Sequence, residues 1–212
     1  MAMTYDSLTA AIPLYTDRSA TQDTNFAAQF DSFILLAQQR LVVDLDKNLG
    51  LQSYATGSFT TGINVYTKPA GWRRNITLSY LNSGVITPID IRTYEYCESY
   101  SPNPTIEGPP KFYADYAYDK IYVVPAPDAG YVYTWGILAL PTILSSGNQS
   151  NWFTDNAPNA LLAATIWEAL DYLQNYEQIP EWEKKYTQAI AALQEQNDVR
   201  VTDRASDRSS TP

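Results

Sequence analysis

The sequence contains 212 residues, of which 45% are hydrophobic and 17% are charged. This length and composition are typical of a globular chain with a sizeable core, and they exclude an intrinsically disordered protein. The chain has one cysteine and no histidine, which excludes an intrachain disulfide and removes the commonest catalytic base and metal ligand. The formal net charge is −9 and Lys and Arg do not cluster, so the chain lacks the basic surface that grips nucleic acid.

The sequence also argues against membrane insertion and secretion. No apolar run approaches the roughly 20 residues that a membrane-spanning helix needs, and the densest run, residues 137–140, is followed by Pro141. The N-terminal sequence MAMTYDSLTA has neither the basic start nor the apolar stretch of a signal peptide. We therefore expect no membrane association and a protein that is made and used in a cytoplasm.

Two amphipathic segments near the N-terminus predict helices. Residues 4–15 place Tyr5, Leu8 and Ile12 on one face, and Pro13 is expected to end this helix. Residues 23–48 predict a longer helix that stops at Gly50 and whose apolar side chains recur at helical spacing. These side chains are Phe26, Phe30, Phe33, Ala37, Leu41 and Leu45.

The middle of the chain, residues 54–133, is rich in Thr, Tyr, Val and Ile and is interrupted by Gly and Pro, which is typical of β-strands. Residues 82–84, Asn-Ser-Gly, predict a hairpin turn between strands at 76–81 and 85–91. Further strands are expected at 121–124 and 131–140, and one short helical turn at 93–99.

Two more helices are predicted after a polar loop at 145–150. Thr154 or Asn156 is expected to cap the first, with Pro158 in its first turn, and Pro180 is expected to begin the second. Because their link is short, we expect an antiparallel helix pair. The sequence therefore predicts an α+β fold: helices over 1–50, a β-rich insertion of antiparallel hairpins over 51–145, a helix pair over 154–197 and a flexible tail over 198–212.

Candidate chemical groups are few. Cys97 lacks a histidine that would activate it as a nucleophile, so we interpret it as a structural thiol. Asp44 and Asp46 are two residues apart at a helix end, a spacing that points their side chains in different directions and favours a solvated helix end over a metal or acid–base pair. The sequence contains neither nucleotide-binding glycine motif. We predict no metal, no cofactor and no enzymatic activity, although a hydrolase that uses two of the many carboxylates stays open.

Tyrosine is the compositional anomaly, with seventeen in the chain and nine of them from Tyr94 to Tyr133. Alternating tyrosines fit a half-buried sheet, but tyrosine is also enriched where proteins meet, because it offers a large contact area and a polar tip. A carbohydrate- or receptor-binding module would use the same rings and is the alternative. The candidate subunit-interface aromatics are Tyr113, Tyr116, Tyr118 and Tyr122.

Arginines recur at four-residue spacing near the C-terminus, at Arg200, Arg204 and Arg208. A helix would align them, and Asp203 and Asp207 each follow an arginine by three residues, which permits ion pairs along that helix. Two interpretations stay open: a solvated, disordered tail, or a segment that becomes ordered when it meets a partner.

From residue 68 to residue 186 the sequence carries a series of short motifs in a distinctive order. The telling parts are a G-P-P-x-x-Y step at 108–113, a V-P-x-P strand end at 124–127 and a W-E-x-x-Y helix at 182–186. The other members of the series are KPAGWR at 68–73, DKIYVVPAP at 119–127, residues 131–141, LS at 144–145, NWF at 151–153, APNALL at 157–162 and EALDYL at 168–173. This series resembles the phage adaptor proteins that sit beneath the portal ring. The resemblance covers roughly residues 20–197, and its specificity comes from the order and spacing of the motifs.

This resemblance implies a structural virion protein, an α-helical bundle with a β insertion that assembles into a ring of twelve copies. Such a ring joins the portal protein above to a tail, nozzle or neck protein below, and it surrounds double-stranded DNA without binding it specifically. It also implies a location in the virion neck, after assembly in the host bacterial cytoplasm. Because C-terminal segments of similar proteins reach the portal, the candidate portal contacts are Arg200, Val201, Arg204 and Arg208.

Overall fold

The computed structural model describes residues 3–45 and 48–206. The predicted α+β class is confirmed. The chain forms two compact units: a helical unit, made of the chain up to Leu51 and from Leu140 onward, and a β-rich unit, Gln52–Ala139.

The described residues form seven α-helices and one short 3-10 turn, Leu49–Leu51. The helices are α1 (Tyr5–Thr16), α2 (Thr24–Ala27), α3 (Phe30–Asp44), α4 (Tyr94–Tyr100), α5 (Trp152–Asn156), α6 (Pro158–Tyr172) and α7 (Ile179–Ser206). Helix α4 belongs to the β-rich unit and the other helices to the helical unit.

Helix α1 does not end at Pro13, as the sequence predicted, but continues to Thr16. Proline removes one backbone donor and clashes with the preceding turn, which disfavours a helix interior. Packing of the following residues offsets this cost. The Thr16 side chain is buried and donates to the Ile12 carbonyl at 2.8 Å, and the Tyr15 ring lies edge-on to Trp182 of α7 at 5.1 Å.

The predicted long helix over residues 23–48 is divided in two. Helix α2 is capped by Asp23, whose carboxylate accepts from the Phe26 amide at 3.0 Å, and α3 begins after Gln29. Phe26 is fully buried and packs edge-on against Phe30, with ring centroids 5.1 Å apart, and against Tyr172 of α6. The short helix α2 therefore places one buried aromatic side chain, Phe26, against rings of α3 and α6. Helix α3 ends at Asp44, before the predicted stop at Gly50.

The start of the C-terminal helix pair differs slightly from the prediction. The cap is Asn151, whose side-chain oxygen accepts from the amides of Phe153 and Thr154, and it begins the short helix α5. Helix α6 then begins at Pro158, in the first turn as predicted. The side-chain amide of Asn151 also donates to the side-chain oxygen of buried Gln38 in α3 at 2.7 Å, and this hydrogen bond connects the loop to the helical core.

Polar and aromatic contacts link α3, α6 and α7. The guanidinium of Arg40 forms an ion pair with Glu168 and lies 4.1 Å from the ring centroid of Trp167. That indole contacts the ring of Tyr186 at 5.9 Å, and the Tyr186 hydroxyl donates to a carboxylate oxygen of Asp44. These side chains come from three helices and lie up to 146 positions apart along the chain, so no local sequence pattern connects them.

The β-rich unit contains two four-stranded sheets. The first has the order β1–β8–β3–β4 and the second β2–β7–β6–β5; all pairs are antiparallel except β5–β6. The strands are β1 (Gln52–Ser58), β2 (Val65–Thr67), β3 (Trp72–Asn82), β4 (Val85–Pro88), β5 (Asp90–Ile91), β6 (Phe112–Ala117), β7 (Lys120–Val124) and β8 (Val132–Ala139).

The predicted hairpin at residues 82–84 joins β3 to β4. Asn82 pairs with Val85 across a two-residue turn, Ser83-Gly84, in which both residues have positive φ, 50° and 83°. Turns of this kind match the right-handed twist of the flanking strands, and glycine tolerates positive φ without strain.

Gly136 lies in the middle of β8, between β1 and β3. A Cβ atom at this position would lie 2.6 Å from the Thr77 hydroxyl oxygen and 3.0 Å from a ring carbon of Tyr54. Neighbouring side chains therefore occupy the space above this glycine.

The two sheets share one core, and the second sheet also has a covered outer face. Inward side chains of β6 and β7, among them Tyr113 and Val123, pack with Trp135 and other side chains of the first sheet. Alternation along the strands turns Ala114 and Val124 to the opposite face, where they contact Cys97 of α4. Helix α4 thus lies on the outer face of the second sheet, and it has two turns where the sequence predicted one.

Candidate interaction surface

A buried lysine holds the turn between β6 and β7. The Nζ of Lys68 lies 2.5 Å from a carboxylate oxygen of Asp115 and donates to the carbonyl oxygens of Ala117 at 3.1 Å and Tyr118 at 3.0 Å. It also lies 3.6 Å from the ring centroid of Trp72, and its side chain is only 3% exposed. These contacts use all three ammonium donors, so Lys68 fixes the turn and keeps no donor for a ligand.

The residues after Lys68 explain the KPAGWR motif. The Trp72 amide donates to the Pro69 carbonyl at 3.2 Å, and Gly71 has φ of 70°, which closes a tight turn. The Trp72 indole then donates to the side-chain oxygen of Asn75 at 2.7 Å, and the Trp135 indole donates to the same oxygen at 2.9 Å. The ring that stacks on Lys68 is therefore anchored to β3, one of the two central strands of the first sheet.

The four predicted interface tyrosines have different environments. Tyr116 is 48% exposed, Tyr118 is 88% exposed and Tyr122 is half-buried. Tyr113 is only 3% exposed and lies in the core of the β-rich unit, where burial raises the pKa of its phenol to about 12. Tyr113 therefore cannot contribute to a contact between subunits, because strand alternation turns it inward while Phe112 and Ala114 face outward.

Helix α4 adds aromatic residues that the sequence analysis did not select. Tyr94 packs against Tyr116 at 5.3 Å and Tyr122 at 5.4 Å between ring centroids. On the other side of the helix, Tyr96 and Tyr100 pack edge-on against Phe112 at 5.3 and 4.9 Å. We call these six rings the α4 aromatic surface. The i, i+4 spacing of Tyr96 and Tyr100 was visible in the sequence, but a single helical turn would not have aligned them.

Cys97 lies between the two groups of rings. It is fully buried against Ala114 and Val124, and burial raises the pKa of its thiol. A raised pKa reduces the thiolate fraction on which reactivity depends, which agrees with the interpretation of Cys97 as a structural thiol.

One member of the carboxylate pair considered from the sequence, Asp44, makes structural contacts. Asp44 accepts the Tyr186 hydroxyl, and its backbone carbonyl accepts from Gln194 at 3.1 Å, so its contacts are structural. Asp46 lies outside the described residues. Within residues 3–45 and 48–206, no group of three or more Cys, Asp and Glu side chains is arranged to hold a metal ion. No helix in that part of the chain is long and apolar enough to cross a membrane.

The candidate portal contacts fall at the end of the last helix. Helix α7 continues to Ser206, so the segment that the sequence predicted to be a flexible tail from residue 198 begins as helix. The physical reason is that adding residues to an existing helix is far easier than starting one. Arg200 is exposed on α7, and Val201 and Arg204 are also within this helix. Arg208 lies outside the described residues.

Comparison with known proteins supplies the class of the molecule. No curated protein matches the chain. The family described as SU10 adaptor protein matches residues 3–210, which is nearly the whole sequence and includes both compact units. The match agrees with the resemblance carried by the motif series from residue 68 to residue 186. The chain therefore belongs to the SU10 adaptor protein family, a family of phage head–tail adaptors.

Proposed function

We propose that this chain forms a ring of twelve copies beneath the portal, links the capsid to the tail and surrounds the passage for DNA. It is a structural component of the virion neck and uses neither a catalytic group nor a cofactor. Its partners are copies of itself, the portal protein above, and a tail, nozzle or neck protein below. The ring assembles in the host cytoplasm before it joins the particle.

The observation that carries this proposal is the α4 aromatic surface in a chain of an adaptor family. Tyr96, Tyr100 and Tyr116 are 44%, 39% and 48% exposed, and Tyr118 beside them is 88% exposed. Such a concentration of exposed rings is typical of a surface that becomes covered by another protein. Because Lys68 fixes the turn that carries Tyr118, the backbone at this exposed ring loses little freedom when a partner binds.

The distribution of charge supports a passage that does not retain DNA. The β-rich unit has six Lys and Arg against seven Asp and Glu, whereas the rest of the chain has eight against sixteen. The excess negative charge therefore lies in the helical unit. Twelve copies would carry on the order of −100 charges, and a field of this sign repels phosphate.

A carbohydrate-binding function of the same rings is less well supported. The rings of Tyr94, Tyr116 and Tyr122 are inclined to one another by 43°, 68° and 35°. A sugar face stacks best on a flat, open ring, whereas these rings pack against each other. Glycan-array binding that is lost on Tyr116→Ala substitution would favour this alternative.

The ring is tested by mixing the purified chain with the portal protein of the same virion. Negative-stain imaging should show closed rings on the portal, and mass measurement should give twelve copies. The portal is required because it serves as the template for assembly. A chain that stays monomeric with portal at every concentration would contradict the proposal.

The portal contact is tested separately with Arg200→Gln combined with Arg204→Gln. We expect weaker docking to the portal and an unchanged circular dichroism spectrum. The matched control is Lys184→Gln, which removes a positive charge from an exposed position near the start of the same helix and should leave docking unchanged. Equal docking of all these variants would remove the C-terminal segment from the contact.

A further inference from the structure

Helix α4 divides the aromatic surface into two flanks. Cys97 points into the sheet, and at 100° per residue Tyr94 and Glu98 project to one side of it while Tyr96 and Tyr100 project to the other. The strand below follows the same division, because Phe112 packs under Tyr96 and Tyr100 whereas Tyr116, farther along β6, packs against Tyr94. The two flanks therefore lie on opposite sides of α4, over the same outer face of the second sheet.

One flank is cationic. The guanidinium of Arg92 lies 5.8 Å from the ring centroid of Tyr96 and 5.4 Å from that of Phe112, and the Nζ of Lys111 lies 5.9 Å from that of Tyr100. Asp90 approaches Arg92 only at 3.8 Å, with both side chains largely exposed, so it neutralises this flank weakly. We call these two cations with Tyr96, Tyr100 and Phe112 the cationic flank.

The other flank is anionic. Its three rings, Tyr94, Tyr116 and Tyr122, pack against one another, and the Tyr94 hydroxyl donates a hydrogen bond to the Glu98 carboxylate. This hydrogen bond, together with burial, raises the pKa of Tyr94 to about 12. Burial raises the pKa of Tyr122, and the negative charge of Glu98 adds to that increase. At the nearby turn the opposite charges of Asp119 and Lys120 offset each other. We call Glu98 with the three tyrosines the anionic flank.

We propose that adjacent copies in the ring meet through these flanks, with the cationic flank of one copy against the anionic flank of the next. This inference rests on the proposed ring function. A head-to-tail contact between identical subunits joins two different surfaces of the same chain, and two aromatic surfaces of opposite charge on opposite sides of one helix are complementary in this way. An unrelated partner would need one flank only. In the contact, Glu98 of one copy pairs with Arg92 and Lys111 of its neighbour, and the exposed rings cover each other.

Charge reversal tests the pairing with portal-templated assembly of the intact chain. Glu98→Lys makes both flanks positive, and Arg92→Glu combined with Lys111→Glu makes both negative. Each protein alone should form at least about tenfold fewer rings than the natural chain, because like charges would then face each other. An equimolar mixture of the two should restore rings in which the variants alternate, and native mass spectrometry would show equal numbers of each.

The control is Glu95→Lys, which makes the same charge change on the same helix at an exposed position that points away from the sheet. It should form rings as the natural chain does, and circular dichroism checks that every variant is folded. Rings formed by both charge-reversed proteins alone, or no recovery in the mixture, would overturn the inference and leave the proposed function standing. Absence of rings from the natural chain with portal would overturn both.

Discussion

Replacing Lys68 with methionine removes the ammonium group that holds the β6–β7 turn and keeps most of the apolar stem. The Asp115 side chain is 59% exposed, so hydration of its carboxylate replaces most of the interaction that is lost with the ammonium group. The carbonyl oxygens of Ala117 and Tyr118 each lose a hydrogen bond from a charged donor. Partial hydration reduces the loss of stability to about 1–2 kcal/mol for each carbonyl, or about 2–4 kcal/mol in total. The loss should be local, because the two indoles that share Asn75 keep their hydrogen bonds.

Amide hydrogen exchange measures this local loss directly. Because about 1.4 kcal/mol corresponds to a factor of ten, amides of β6 and β7 beside the turn should exchange roughly 30- to 700-fold faster in Lys68→Met than in the natural chain. Amides of β3 and β8 should change little. Lys120→Met makes the same chemical change at an exposed position of the same hairpin and should have almost no effect. Unchanged exchange beside the turn would refute the reasoning that Lys68 holds it.

Three further substitutions test the packing of the two units. Burial and a hydrogen bond to Asp44 raise the pKa of Tyr186. The stabilising contribution of Tyr186 is therefore complete below the ordinary tyrosine pKa of about 10 and is lost as the pH rises above it. Tyr186→Phe should reduce the decline of the free energy of unfolding at alkaline pH, as measured by urea unfolding. Gly136→Ala should destabilise the β-rich unit by about 1–3 kcal/mol in denaturant unfolding, because the added methyl group overlaps its neighbours. Gly130→Ala is the control and should be neutral, because the nearest heavy atom to the added methyl carbon is 3.7 Å away. Arg40→Met should cost about 2 kcal/mol through loss of its ion pair and ring contact, which tryptophan fluorescence of the helical unit would report as an earlier unfolding midpoint.

Sequence periodicity predicted the type of most elements, but tertiary packing decided where they end. Pro13 marks a helix end by local rules, and only the burial of Thr16 and the contact of Tyr15 with Trp182 show why α1 continues. The break between α2 and α3 has the same origin, since it docks Phe26 against a ring of α6. Local signals could not identify these partners, which lie more than 140 residues away along the chain.

The interaction surface was predictable in composition and not in arrangement. The density of tyrosines indicated an interface, and Tyr116, Tyr118 and Tyr122 are at least partly exposed, but Tyr113 is in the core. Alternation assigns neighbouring residues of a strand to opposite faces without saying which face is covered by a second sheet. Lys68 belongs to the KPAGWR motif, but the motif does not indicate which residues its side chain contacts. The pairing of β2 with β7 brings Lys68 to its partners at residues 115–118.

The first and last strands of the β-rich unit begin and end side by side. Gln52, where the chain enters the unit, is paired with Leu138, one residue before it leaves, and paired residues of adjacent antiparallel strands have Cα atoms about 5 Å apart. A short peptide could therefore bridge the gap after excision of residues 52–139. This geometry makes the β-rich unit exchangeable as a whole: another module whose ends lie equally close together would join the same two segments of the helical unit without changing the distance between them.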